Sequence, residues 1–112
     1  MAEDAAIETL HGTPESRISV TGRLAIESSA RVRGLLMKAI RTTTGSVLAI
    51  DLSGLAYLDT SGVATLLEVA RVASTQGVRL RVLGLSGEPR MLAQIVELDL
   101  IFRAYGCEVE LT

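Results

Sequence analysis

One set of chemically useful residues stands out, Asp59-Thr60-Ser61-Gly62, set between the apolar stretches Leu55-Ala56-Tyr57-Leu58 and Val63-Ala64-Thr65-Leu66-Leu67. The first turn of an α-helix has backbone N–H groups without intrahelical partners. Asp, Thr and Ser are residue types whose side-chain oxygens accept from them. Gly62 places no side chain over such a helix start, which would let another molecule approach closely. Two readings follow. The cluster is an N-cap and nothing more, or it is a phosphorylation switch. A phosphate on Thr60 or Ser61 would lie at a helix N-terminus, where the dipole and the N–H groups favour an anion. Beside Asp59 it would make the loop strongly negative and block a partner that otherwise covers a bare hydroxyl.

Other reactive side chains are sparse. Asp51 and Asp59 could be paired as acid and base, but no further catalytic group accompanies them. Strand-end aspartates commonly accept from loop backbone donors instead. His11 is the only histidine and Cys107 the only cysteine. An internal disulfide is excluded, as is a thiolate cluster within one chain. A histidine-based triad or zinc site lacks its other members. Cys107 reads as a small structural residue. No glycine-rich phosphate loop supports a nucleotide-binding sensor. The expectation is therefore a non-enzyme with no catalytic residue, no metal site and no cofactor of its own.

The elements that position the cluster alternate in type. Arg17 to Ile26 reads as a strand, with Ile18 and Val20 two apart and Gly22 following. Glu27 to Arg41 reads as a helix with Val32, Leu35, Leu36 and Ala39 on its apolar side and Ser28 or Ser29 as N-cap. Val47 to Leu52 is continuously apolar, as a central strand covered on both faces would be. Leu55 to Asp59 is a short apolar run leading into the cluster. Ser61 to Gln76 is the strongest helix, with Val63, Leu66, Leu67 and Ala70 in one stripe and Gly77 at its end. Val78 to Gly84 alternates, placing Val78, Leu80 and Val82 inward and Arg79 and Arg81 on a solvated face. Ser86 and Pro89 open a further helix whose apolar face is Leu92, Ile95 and Val96. Leu98 to Tyr105 is assigned to the core, and Glu108 to Leu111 to a last short strand. The order predicts an α/β domain with a mixed, mostly parallel sheet of four to five strands flanked by helices. In such sheets function sits in the loops after the central strands.

A chain of 112 residues suits one domain and one core. The formal net charge of -2 argues against a general nucleic-acid binder. Three aromatic residues, none of them tryptophan, are too few for a base-stacking platform. No apolar run approaches the roughly 20 residues that span a bilayer. The acidic N-terminal stretch MAEDAAIETLHG has no basic-then-apolar signal pattern. A cytoplasmic protein without membrane insertion is expected. Ala64 and Val72 flank Glu68 on the long helix, away from its buried stripe, and suggest a modest docking surface next to the hydroxyl loop.

The stretch from Val47 to Gly87 resembles the centre of a STAS domain, the fold of bacterial anti-sigma factor antagonists. The residues that carry the likeness are Asp51-Leu52-Ser53, Tyr57-Leu58, Asp59-Thr60-Ser61-Gly62, Leu66-Leu67 and Gln76-Gly77, with the strand that follows. Leu98 to Tyr105 resembles the closing segment of that family, so the likeness covers about residues 15 to 106, and the whole of residues 1–112 is taken as one STAS-like domain. The resemblance implies that Thr60 is the hydroxyl phosphorylated by a partner kinase, with Ser61 as the alternative acceptor. It implies that the unphosphorylated protein binds a kinase-type anti-sigma factor and releases a sigma factor, and that ATP belongs to the kinase. Asp59, Thr60, Ser61, Gly62, Ala64 and Glu68 would form the partner-binding surface. One departure is evident. The family's second strand ends Gly-Glu-Leu-Asp, and those acids contribute to partner binding; here the residues are Gly22-Arg23-Leu24-Ala25. That changes the charge a partner meets, which is a specificity element. Other STAS proteins are accessory subunits of bacterial lipid-transport ABC complexes whose loop docks on the ATPase, and Thr60 suits that alternative as well.

Overall fold

The structure, a computed structural model, describes residues 6–10, 16–43 and 45–111. His11 lies outside the described residues. In chain order the elements are β1 (Ala6–Leu10), β2 (Ser16–Leu24), α1 (Ser29–Thr42), β3 (Val47–Asp51), β4 (Leu55–Leu58), α2 (Thr60–Thr75), β5 (Arg79–Leu83), α3 (Gly87–Ile95), α4 (Leu98–Ala104) and β6 (Glu108–Val109). The sheet runs β1-β2-β3-β5-β6, and β4 pairs with β2. Strands β2 to β6 are parallel to their neighbours, and β1 lies antiparallel on β2. The mixed, mostly parallel sheet is as expected. Its five parallel strands match the expected four to five, and Ala6–Leu10 adds an antiparallel edge strand as a sixth.

Strand β2 does two jobs. Its first half pairs with β3, Ser16 to Ser19 against Leu48 to Asp51. Its second half pairs with β4, with a register shift between Gly22 and Arg23. Gly22 makes the shift possible with φ 84°, a left-handed conformation that costs glycine little, and its N–H donates to the Gly54 carbonyl at 3.1 Å. The bulge lets one strand hold two neighbours that start at different heights. The ends of β2 and β4 therefore emerge side by side, each running into a helix.

The core lies between one sheet face and the helices. Ile18, Val20, Leu48, Ile50, Leu80 and Val82 alternate onto that face and meet Val32, Leu36, Ile40, Leu66, Val69, Ala70 and Phe102. The opposite face is polar: Arg17 and Thr21 of β2, Arg79 of β5 and Glu108 of β6 are exposed there. Strand β3 is thus not covered by helices on both faces. Its continuous apolar run fits because Ala49, in register with Arg17 and Arg81, is shielded although it faces the polar side, as long arginine stems can do.

Three helix faces differ from the periodicity reading. In α1 the buried row is Val32, Leu36, Met37 and Ile40, and Leu35 points to solvent. Val32, Leu36 and Ile40 are spaced by four, so the contact seam is narrower than the apolar arc of the sequence. In α3 Pro89 and Ala93 are buried, Leu92 and Val96 pack at the rim, and Ile95 is 74% exposed. In α4 Leu98 and Phe102 enter the core, whereas Leu100 and Ile101 remain exposed. Glu97, in a left-handed conformation at φ 55°, separates α3 from α4.

Candidate functional site

The Asp59 to Gly62 cluster stands where β4 passes into α2, as its sequence suggests. Asp59 is the N-cap in an extended conformation. Its Oδ1 accepts from the Gly62 N–H at 3.0 Å, the third residue of the helix, which is the usual capping bond. Its Oδ2 accepts from the Ile26 N–H at 3.1 Å, across 33 residues of sequence. The Asp59 N–H donates to the Leu24 carbonyl at 3.3 Å. One carboxylate therefore ties the end of β4 to the turn that follows β2.

That turn is held from its own side by a serine. Ser28, 2% exposed, donates through Oγ to the Arg23 carbonyl at 2.8 Å and accepts from the Ala25 N–H at 3.1 Å. Ser29 Oγ donates to the Ala25 carbonyl at 2.6 Å. Ser28 is the N-cap residue of α1, but its hydroxyl bonds backward into the turn and makes no bond to the helix start. Strand β2 ends at Leu24 rather than Ile26, and Ile26 stands on the fixed turn with 76% of its surface exposed.

The expected site residues divide three ways. Thr60 is exposed at the first position of α2, and Ser61 beside it is half-buried. Ala64, one turn further on, is exposed. Asp59 lies at the site with its carboxylate engaged internally, and Glu68 is ion-paired to Arg33 of α1 at 2.7 Å. That hydrogen bond lowers the Glu68 pKa and raises that of Arg33. Gly62 requires a correction. It is buried, and a Cβ there would lie 2.5 Å from the Leu24 carbonyl oxygen and 2.6 Å from Leu58 Cδ1. The missing side chain makes room for β2 and β4, not for a visiting molecule. Val72 also departs from the docking reading, since it packs against the core and leaves Ala64 as the open apolar residue.

Residues around the loop complete the surface. The Arg23 guanidinium lies 4.1 Å from the centre of the Tyr57 ring, its cross-strand neighbour, a cation–π contact. Its Nε reaches Glu27 Oε1 at 3.5 Å. Ala25, the other position where an acid is replaced, is 1% exposed. Of the two changes, only Arg23 alters what the surface presents. No local signal marks Ile26 as part of the site, because its place depends on the contact with Asp59, whereas Ser28 reads as a cap and bonds within five residues of itself.

Outside the loop the reactive groups are structural. Asp51 Oδ1 accepts from the Ser53 N–H at 2.9 Å, and this bond holds its carboxyl below the usual range. Cys107 Sγ accepts from the Leu80 N–H at 3.3 Å, and burial pushes its thiol pKa up, which disfavours the nucleophilic thiolate. Among the described residues, no group of three or more His, Cys, Asp or Glu side chains could hold a metal ion. Among the same residues, no helix is long and apolar enough to cross a membrane.

A family model described as the Mlab STAS domain matches residues 9–104. No curated protein matches by sequence. Solved structures share the fold at low identity. The anti-sigma factor antagonist SpoIIAA in its unphosphorylated form is 20% identical with a TM-score of 0.72, over 94% of this chain and 88% of that one. An anti-sigma factor antagonist from Mycobacterium paratuberculosis is 15% identical with a TM-score of 0.74, over 96% and 90%. A serine-to-glutamate variant of RsbS from Moorella thermoacetica is 22% identical with a TM-score of 0.70, over 95% and 86%.

Proposed function

We propose that this chain, which belongs to the STAS domain family, works as a protein-interaction switch of the anti-sigma factor antagonist kind. It acts in the bacterial cytoplasm, without chemistry of its own and without a cofactor. Its unmodified loop binds a kinase-type anti-sigma factor, and phosphorylation by that partner releases it. The observation that carries the reading is the division of labour at the start of α2. Asp59 satisfies the helix start and the neighbouring turn, so capping does not require the Thr60 hydroxyl, which is exposed to a partner. A dianionic phosphate on Thr60 is tolerated by the helix N-terminus. It still changes the surface, because the adjacent Asp59 carboxylate adds to its negative charge. Thr60 is favoured over Ser61 because Ser61 is half-buried.

The arrangement also suits a second reading, an accessory subunit that docks on the ATPase of a lipid-transport ABC complex. The Mlab description of the matching family model and the arginine at residue 23 in place of an acid favour it. Affinity capture from host lysate with wild type, Thr60→Glu and Ser61→Glu as baits separates the two. A small ATP-binding kinase held by wild type and lost with Thr60→Glu supports the antagonist reading. An ABC ATPase in its place moves the chain to the transporter class.

A further inference from the structure

We propose that the end of β2 beside Thr60 is a recognition surface that selects a partner protein offering a carboxylate to Arg23 and an apolar socket to Ile26. This rests on the antagonist reading above and adds the chemistry of the partner. A single exposed isoleucine is ordinary on a protein surface. Ile26 differs in being immobilised. Its N–H is bonded to Asp59 Oδ2, and Ala25 on its N-terminal side is tied down by Ser28 and Ser29. A β-branched side chain on a fixed backbone loses little freedom on being buried by a partner. Arg23 is pre-placed in the same way, by the Tyr57 ring. Glu27 engages its Nε at the long distance of 3.5 Å. A guanidinium has five donors, and its Nη edge matches a carboxylate in bidentate fashion. The acids beside this turn are Glu27, at that long distance, and Asp59, whose two oxygens are engaged by the Ile26 and Gly62 N–H groups, so the face beside Thr60 presents the Arg23 cation and the Ile26 apolar surface together.

The test uses the purified kinase-type anti-sigma factors of the host. Each is titrated with wild type, Arg23→Glu, Ile26→Ser, Thr60→Glu and, as a control for charge alone, Lys38→Glu on the exposed face of α1. Both Arg23→Glu and Ile26→Ser are expected to weaken binding by about tenfold, with unchanged thermal melting and with Lys38→Glu near wild type. The wild-type affinity should also fall more steeply with salt than that of Arg23→Gln. If Thr60→Glu abolishes binding while Arg23→Glu and Ile26→Ser stay within about twofold of wild type, the recognition surface is overturned and the switch stands. Tighter binding by Arg23→Glu overturns it too, since the partner would then be basic at that point. If none of the factors binds wild type, the antagonist reading falls and this inference with it.

Discussion

The starts of α1 and α2 are built from similar residues and use them in opposite ways. Each follows the end of a parallel strand, and each offers two adjacent hydroxyls, Ser28 and Ser29 or Thr60 and Ser61. At α1 the hydroxyls turn inward and bond the carbonyls and an N–H of the preceding turn. At α2 an aspartate takes both the cap and the neighbouring turn, and Thr60 faces solvent. The difference lies in the N-cap residue: Ser28 at α1 spends its hydroxyl on the preceding turn, whereas Asp59 at α2 serves both the helix start and the turn. A carboxylate brings two oxygens and a charge-assisted bond, so it can replace the serine device and leave the threonine without a structural duty.

The contrast can be broken most severely at Gly62. Gly62→Val forces a branched side chain against the Leu24 carbonyl and Leu58. It should cost roughly 3 kcal/mol, at the upper end for overpacking, seen as a large drop in thermal midpoint. A variant that folds as stably as wild type would return Gly62 to the partner-facing role. Next is Asp59→Ala, which removes the cap and strands the Ile26 N–H. About 2 kcal/mol of stability should go, and hydrogen exchange at the Ile26 amide should accelerate. Protection retained at that amide would show that the two helix starts are not coupled through Asp59.

Ser28→Ala tests the other side. The loss should be about 1 to 2 kcal/mol by urea denaturation, because the Ala25 N–H is left buried without its acceptor. Thr60→Ala sharpens the comparison by doing little: less than about 0.5 kcal/mol, as for an exposed residue without a structural contact. Equal effects of Ser28→Ala and Thr60→Ala would erase the distinction between inward and outward hydroxyls. The smallest effect concerns Asp51, remote from both starts. Its folded-state pKa is lowered by the Ser53 bond. Its contribution is therefore present above the ordinary carboxylate pKa and is lost as pH falls through the lower, folded-state value. Stability against acid should fall less steeply in Asp51→Asn than in wild type, with the two curves parallel at neutral pH.

Much of the fold is legible in the sequence. The stripe Val63, Leu66 and Ala70 fixes the buried side of α2, and Val78, Leu80 and Val82 fix that of β5, because burial follows the period of the element. Asp59 is legible as a cap from its residue type alone. Strand β1 escapes a sequence reading because Ala-Ile-Glu-Thr-Leu has weak alternation, and it gains its bonds from β2. Leu35 and Ile95 read as inward-facing although they are exposed. Periodicity gives an apolar arc, whereas the width of the seam depends on what lies opposite.

The sequence by itself determined that a strand ends and a helix begins at Asp59, that the helix has one buried face, and that hydroxyls stand at its first turn. These are local properties, set by residues within one or two turns of each other. Only the tertiary structure decided that the second oxygen of Asp59 serves Ile26, that Gly62 fits under the Leu24 carbonyl, and that Arg23 rests on Tyr57. Each of those depends on the bulge at Gly22, which brings the ends of β2 and β4 together, and no local pattern encodes a contact made by residues more than 30 positions apart.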